Sequence, residues 1–272
     1  MQHYNISPAS LWASIWRNRS LIAKMTQREV IGRYRGSLLG ILWSFLNPLF
    51  MLAVFTFVFT VVFQVRWQGG GGSRLEFAML LFVGLIVFNI FSECVNRAPG
   101  LVISNANYVK KVVFPLETLV IITLGSAIFH ALVSLGVWLV AYVVIFGAPF
   151  STALLLPVVL MPLFLVVLGL TWMLASLGVF LRDVSQIVVI LTTTLMFLSP
   201  IFYPLEAVPE NFRWVLELNP LAHVIEQSRD VLFWGNLPNL SAFLLQLCVS
   251  ALVAWGGYAW FQTTRRGFAD VL

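Results

Sequence analysis

The sequence has 272 residues, of which 60% are hydrophobic and 10% are charged, with a formal net charge of +5. About a quarter of the residues of a soluble domain are charged, so this composition excludes a soluble globular protein and predicts a chain that lies mostly in lipid. The basic balance would suggest nucleic acid as the partner of a soluble protein, but in a membrane protein it reflects basic cytoplasmic loops.

The first 37 residues predict a cytoplasmic, amphipathic interface helix. Ser7 and Pro8 provide an N-cap and a first-turn proline. Apolar residues then recur at helical spacing, with arginines and Lys24 between and after them. Such a helix lies along the membrane surface with its cations toward acidic lipid headgroups. The alternative is a helix that packs on the inner end of a bundle of spans.

The remainder, residues 38–272, is predicted to be one all-α transmembrane domain. A span needs about 20 apolar residues, and six segments meet this length: about 38–63, 77–96, 116–146, 153–181, 185–204 and 242–262. An even number of spans places both termini on the same side. With the N-terminus inside, twelve of the 16 lysines and arginines also lie inside, which favours cytoplasmic N- and C-termini.

The first and fifth spans carry the residues that we expect to line a path through the membrane. Asn47 precedes Pro48, and a proline within a span frees a backbone carbonyl that must find another partner. Aromatic rings nearby can stack on the C–H faces of sugar rings. The candidate set is Trp43, Phe45, Asn47, Phe50, Phe197, Phe202 and Tyr203. The minimal interpretation is a kinked, packed helix without a path.

Residues 205–241 predict an external segment that is too charged to span the membrane. Asn219 and Pro220 divide it into two short amphipathic helices. We expect these helices to dip into the outer leaflet or pack over the bundle and to act as a gate, with Trp214, Asn219, Pro220 and Arg229 as the candidate residues. A passive cap over the bundle is the alternative.

The sequence contains no pattern typical of a catalytic or metal-binding site. No lysine follows a glycine anywhere in the chain, which excludes a P-loop. His130 has no carboxylate partner at helical spacing and is interpreted as a hydrogen-bonded packing residue. We therefore expect no enzymatic activity, no cofactor and no metal. Transport driven by an ion gradient is disfavoured, because it needs ionisable groups inside the spans.

Three stretches occur in order along almost the entire chain. They are "REVIGRYRGSLLGILWSFLNPLFMLAVFTFVF" (28–59), "NANYVKKVVFPLE" (105–117), and "SPIFYPLEAVP" with "LNPLAHVIEQSRD" (199–230). Together they resemble the ABC-2-type permeases that export polysaccharides, a family that includes the O-antigen and teichoic-acid exporters. The chain departs from the family where another proline often follows the glutamate of the second stretch, since it reads Thr118-Leu119-Val120.

The resemblance implies a homodimer in the bacterial inner membrane, with two copies of a separate cytoplasmic ATP-binding subunit. Its other implied partners are a lipid-linked polysaccharide and membrane lipids, without nucleic acid. Residues 98–115 would form a coupling segment for the ATPase, with Asn107, Lys110, Lys111 and Pro115 at the contact. The alternative is that Lys110 and Lys111 only orient the protein in the membrane.

A lipid-linked glycan carries phosphate at the headgroup level, and arginine binds phosphate oxygens in pairs. Arg33 and Arg35, just before the first span, are therefore candidates to seat the phosphates of the carrier. The alternative is that they only orient the first span. The other functions left open are a gradient-driven small-molecule transporter, a non-transporting scaffold and, within the family, a capsule or teichoic-acid exporter.

Overall fold

The computed structural model describes residues 6–62, 74–110 and 114–272. Within these ranges the chain is helical, with short turns between the helices and no β-strand, which confirms the predicted all-α membrane fold class.

The N-terminal segment forms two helices, α1 (Pro8–Arg17) and α2 (Arg19–Tyr34), in place of one continuous helix. The Ser7 hydroxyl oxygen accepts a hydrogen bond from the Ser10 amide at 3.2 Å, and Pro8 is the first helical residue, so the predicted N-cap is confirmed. Polar and apolar residues are mixed around α2, which buries only Val30. The predicted amphipathic character is therefore limited to α1.

The helices that follow form a bundle of long helices with short helices at its ends. They are α3 (Trp43–Phe57), α4 (Arg74–Leu101), α5 (Ala106–Lys110), α6 (Thr118–Phe146), α7 (Leu156–Val159), α8 (Met161–Phe180), α9 (Val184–Leu198), α10 (Glu210–Glu217), α11 (Pro220–Arg229), α12 (Leu240–Thr264) and α13 (Phe268–Val271).

In the described ranges, five helical segments are long and apolar enough to cross a membrane. They are Gly40–Phe57, Arg74–Leu101, Thr118–Phe146, Ser151–Phe180 and Leu240–Val271. They correspond to five of the six predicted spans. The second of them continues to Leu101, so the predicted coupling segment 98–115 begins inside α4.

The predicted span 185–204 is shorter in the structure. Its helix, α9, has 15 residues and ends at Leu198, whereas a straight crossing needs about 20 residues. Ser199 is extended, with ψ at 146°, because a residue that precedes a proline is disfavoured in a helix. The count of six spans therefore stays a prediction.

Helix α4 is the centre of the bundle. It packs against α3, α6, α8, α9 and α11, and most of its residues are buried. By contrast, α3 buries only Leu52, and α9 buries only a narrow stripe. Both α3 and α9 therefore present wide apolar faces that this single chain leaves uncovered.

Glycines bring α8 into backbone contact with its neighbours. A Cβ atom added at Gly257 of α12 would lie 2.0 Å from the carbonyl oxygen of Gly169 in α8. A Cβ atom at Gly178 would lie 2.1 Å from the carbonyl oxygen of Pro99 in α4. Small residues at such crossings are what allows membrane helices to approach closely, so these glycines fix the position of α8.

The short helices mark the two ends of the bundle. Helices α1, α2 and α5 lie where α4 ends and α6 begins, which we call the N-terminal end. Helices α10 and α11 lie at the opposite end. The Asn219 side chain accepts a hydrogen bond from the Leu221 amide at 2.9 Å and Pro220 opens α11, so the predicted helix start is confirmed.

Candidate functional site

The predicted coupling segment contains the short helix α5, which follows a 3-10 turn at Ile103–Asn105. Asn107 and Lys110 are exposed on α5, and neither forms an ion pair or side-chain hydrogen bond within the described residues. Lys111 lies outside the described residues. The Pro115 carbonyl accepts hydrogen bonds from the amide (2.9 Å) and hydroxyl (2.7 Å) of Thr118, the first residue of α6. The segment thus presents polar side chains outward and ends in a hydrogen-bonded turn.

Aromatic stacking fixes α5 to the bundle. The Tyr108 ring stacks on the Phe114 ring with 4.5 Å between centroids and 13° between planes. The Arg28 guanidinium of α2 donates a hydrogen bond to the Tyr108 hydroxyl at 3.0 Å. The coupling segment is therefore connected both to the N-terminal helices and to the turn before α6.

Glu117, which lies just before α6, contacts three other parts of the chain: α1, α8 and the residue after α12. Its carboxylate pairs with Arg265, which follows α12, at 2.9 Å, and accepts a hydrogen bond from the Ser14 hydroxyl of α1 at 2.7 Å. Its backbone carbonyl accepts a hydrogen bond from the Trp172 indole of α8 at 3.1 Å. Glu117 is 6% exposed. No pattern in the sequence points to Glu117 or Arg265 as a site residue, although each directly borders an apolar span.

A charged cluster joins α2, α4 and α6 at the N-terminal end. Glu93 of α4 lies 2.6 Å from Arg33, 3.5 Å from Arg97 and 3.0 Å from the Nδ1 atom of His130. Arg97 also pairs with Glu29 of α2. The interpretation of His130 as a hydrogen-bonded packing residue is confirmed, and its partner, Glu93, lies on the neighbouring helix α4. Because Glu93 contacts Arg33 of α2 and His130 of α6, the cluster holds α2 and α6 against α4.

Tyr34 closes one side of the charged cluster. Its ring meets the His130 ring edge-on, with 6.0 Å between centroids. Burial raises the pKa of the Tyr34 phenol above its ordinary value, an effect that Arg33 opposes and Glu93 adds to. Tyr34 therefore adds a neutral side chain to the cluster at physiological pH.

The structure separates the two candidate phosphate-binding arginines. Arg33 is held by Glu93, whereas Arg35 lies at the end of α2 and forms no ion pair within the described ranges. Arg35 instead borders an open groove of about 320 Å³, lined by Lys24, Gln27, Arg28, Ile31, Gly32 and Arg35. This groove offers three cationic side chains on one exposed face.

The aromatic candidates divide into a stacked group at the end of α9 and a second group on α3. The Phe202 ring stacks on Phe197 (5.9 Å) and on Phe59 at the end of the first span (6.4 Å), and the Tyr203 hydroxyl donates to the Phe197 carbonyl at 3.0 Å. The first and fifth predicted spans therefore meet at this point. On α3, by contrast, Trp43 is half-buried and the exposed candidates are Phe45, Asn47 and Phe50.

The predicted gate residues also have different surroundings. Trp214 on α10 is 59% exposed, whereas Arg229 on α11 is 1% exposed. Arg229 donates hydrogen bonds to the carbonyls of Leu80 (3.1 Å) and Ile201 (3.0 Å) and pairs with Glu226 at 2.7 Å. It is thus a buried anchor that ties α11 to α4.

Asn219 and Pro220, the other two gate candidates, lie where α11 begins. The Asn219 amide donates hydrogen bonds to the Ser199 hydroxyl at 2.9 Å and to the Leu198 carbonyl at 3.3 Å. Asn219 therefore ties the start of α11 to the end of α9. On α10, by contrast, the side chains of Phe212 and Trp214 are exposed.

Comparison with known proteins gives a family match and relatives of similar length. Residues 20–233 match the family described as ABC-2 type transporter. The chain is 29% identical over 258 residues to the O-antigen export system permease protein RfbA of Myxococcus xanthus, covering 94% of this chain and 96% of that protein. The RfbA protein of Klebsiella pneumoniae, with the same description, is 25% identical over 254 residues, at 93% and 95% coverage. The polysialic acid transport protein KpsM of Escherichia coli is 28% identical over 217 residues, at 77% and 80% coverage.

Proposed function

Because the chain belongs to the ABC-2 type transporter family, we propose that it is the permease subunit of an ATP-driven exporter of lipid-linked polysaccharide. The observation that carries this proposal is the similarity over nearly the whole chain to proteins described as O-antigen export permeases. The descriptions of these relatives favour an O-antigen-like glycan as the substrate.

The energy source is a separate ATP-binding subunit, present in two copies. The sequence has no P-loop of its own. Helix α5 presents the exposed side chains of Asn107 and Lys110 at the N-terminal end, and we assign this surface to the ATPase. This assignment places the N-terminal end, and with it both chain termini, in the cytoplasm.

A second copy of the chain completes the path. The exposed faces of α3 and α9 are apolar, and each is far wider than the stripe that its helix buries. Pairing two chains through these faces places Trp43, Phe50 and Phe197 near the axis between them. The aromatic rings then provide stacking surfaces for sugar units that pass through.

The phosphates of the lipid carrier bind at the groove on α2. Arg35 presents a planar fork, and Lys24 and Arg28 add positive charge within the same groove. Arg33 stands next to this groove but is held by Glu93, so it contributes only when a phosphate competes with that carboxylate. ATP binding to the partner then moves α5 and the N-terminal helices. As a result, α3 and α9 separate at the axis between the two chains. Helices α10 and α11 then open the far end of the path.

The test is deletion of the gene with two measurements in parallel. Surface glycan should be lost and lipid-linked polymer should accumulate inside the cell, and a plasmid copy should reverse both effects. Inverted membrane vesicles from producing cells should accumulate glycan when ATP is added, including in the presence of a protonophore. Normal surface glycan in the deletion strain would contradict the function, and sensitivity to the protonophore alone would favour a gradient-driven transporter.

A further inference from the structure

We propose that Glu117 and Arg265 are positioning residues that carry movement of α5 into the spans α6 and α12. The inference rests on the proposed function, since it concerns how work done by an ATPase on α5 reaches the transmembrane helices. It starts from an ion pair that joins residues 148 positions apart in the chain.

The ion pair connects the ends of two long helices. Glu117 is the residue directly before α6, and Arg265 is the residue directly after α12. One guanidinium nitrogen of Arg265, Nη1, lies 2.9 Å from the Oε2 atom of Glu117. The start of α6 and the end of α12 are thus held together by one contact between side chains.

The second terminal nitrogen of the Arg265 guanidinium contacts the coupling segment. Its Nη2 atom donates a hydrogen bond to the backbone carbonyl of Phe114 at 3.0 Å. Phe114 is buried, and its ring stacks on Tyr108 of α5. The Arg265 guanidinium therefore contacts Glu117 through Nη1 and the backbone of Phe114 through Nη2, and Phe114 stacks on Tyr108 of α5.

The Glu117–Arg265 ion pair is costly to separate because both side chains are largely buried. The side chains of Glu117 and Arg265 are 8% and 14% exposed, and separating a buried pair leaves an uncompensated charge. Ser14 of α1 and Trp172 of α8 fix Glu117 further through its carboxylate and its backbone carbonyl. Helix α13 also packs against α5. A push on α5 is therefore expected to move α6 and α12 together with it.

The experiment compares Glu117→Gln and Arg265→Lys with wild type in the deletion strain. Glu117→Gln removes the charge, whereas Arg265→Lys keeps the charge but loses the fork that reaches Phe114. Arg266→Gln is the control for the loss of a neighbouring, exposed positive charge. Surface glycan is measured per permease in the membrane, and ATP hydrolysis is measured on the purified permease–ATPase complex.

The expected result is an uncoupled complex. Coupling between distant sites typically corresponds to factors of about 5 to 150. Export relative to ATP hydrolysis should therefore fall by about tenfold both in Glu117→Gln, which weakens the contact between α6 and α12, and in Arg265→Lys, which loses the contact with Phe114. ATPase binding and hydrolysis should stay at the level of wild type and of Arg266→Gln. An unchanged ratio in both variants, or a loss of export that only follows protein abundance, would overturn the proposal. Failure of the wild-type complex itself to export glycan would refute the proposed function.

Discussion

The Nη1 atom of Arg33 lies 2.6 Å from the Oε1 atom of Glu93, which ties the helix before the first span to the central helix of the bundle. The two side chains differ in environment, since Arg33 is 52% exposed and Glu93 is 15% exposed. Glu93 also has two further cationic or hydrogen-bonding neighbours, Arg97 and His130.

Substitution of Glu93 should therefore cost more stability than substitution of Arg33. Glu93→Gln is expected to lower the free energy of unfolding by about 2 kcal/mol, because hydrogen bonds to a charged group are lost at a nearly buried site. Arg33→Gln should lower it by less than about 1 kcal/mol, as for other exposed ion pairs. Denaturant unfolding of the purified protein in detergent measures both values. Equal losses in the two variants would contradict the role of Glu93 as the centre of the cluster.

Lys110→Glu is expected to weaken binding of the ATPase, because it reverses the charge on the exposed face of α5. Recovery of the ATPase by affinity purification of the permease is the measurement. Lys24→Glu is the matched control, since it reverses an equally exposed lysine on α2 and changes the net charge by the same amount. Loss of the ATPase in both variants would show that net charge, and not the position of Lys110, determines binding. Topology is checked in parallel, because inside charge sets orientation.

Arg35→Lys should reduce export more than Arg33→Lys. Of these two arginines, only Arg35 presents its guanidinium to the groove, whereas Arg33 is paired with Glu93. Loss of one charged hydrogen bond, about 1.5 kcal/mol, corresponds to roughly a tenfold loss of affinity for the carrier phosphate. Surface glycan at limiting supply of lipid-linked polymer is the measurement. Arg17→Lys, outside the groove, is the control. If Arg35→Lys exports normally, the groove only orients the protein.

Adjacent glycines in α12 offer a test of helix packing. Gly257→Ala should destabilise the protein strongly, since its Cβ atom would lie 2.0 Å from the Gly169 carbonyl oxygen; overpacking typically costs about 1–3 kcal/mol. Gly256→Ala should be neutral or stabilising by up to about 1 kcal/mol, because alanine favours helix and open space surrounds that position. Thermal unfolding in detergent distinguishes the two. Similar melting temperatures would show that α8 and α12 do not pack this closely.

Phe197→Ala should lower export several-fold at unchanged protein abundance. The side chain is 61% exposed in the single chain but stacks on Phe202, so its removal should lower stability by about 1 kcal/mol at most. Leu191→Ala, at 55% exposure on the same helix, is the control for loss of an apolar side chain. Export that falls equally in both variants, or that only follows abundance, would assign Phe197 to packing.

The sequence was sufficient to predict the helices of the bundle but not the contacts between them. A span must be long and continuously apolar, so five segments could be placed from hydropathy. The exception, α9, ended early because Pro200 follows Ser199. Pro200 is present in the sequence, but the predicted span followed the length of the apolar run, which continues past this proline.

The contacts at the candidate site join residues far apart in the sequence. His130 and Glu93 are 37 positions apart, and Arg265 and Glu117 are 148 apart. Helical spacing detects only partners on the same helix, which is why the sequence could indicate a hydrogen-bonded His130 but could not identify Glu93 as its partner. Arg229 was predicted as a gate residue because it lies in the charged external segment, and only the fold shows the carbonyls that accept its hydrogen bonds.

The enclosed position of α4 has a consequence for biogenesis. This helix is made early, yet α8, α9 and α11, which cover much of it, are made later. A nascent chain that ends after α6 already contains the partners of Glu93 and Arg97. It lacks the contacts that Asn96, Pro99 and Leu80 of α4 make with α9, α8 and α11. Completion of the bundle must wait for the last third of the chain to be synthesised, so C-terminal truncations should be removed by membrane quality control before they can reach a partner.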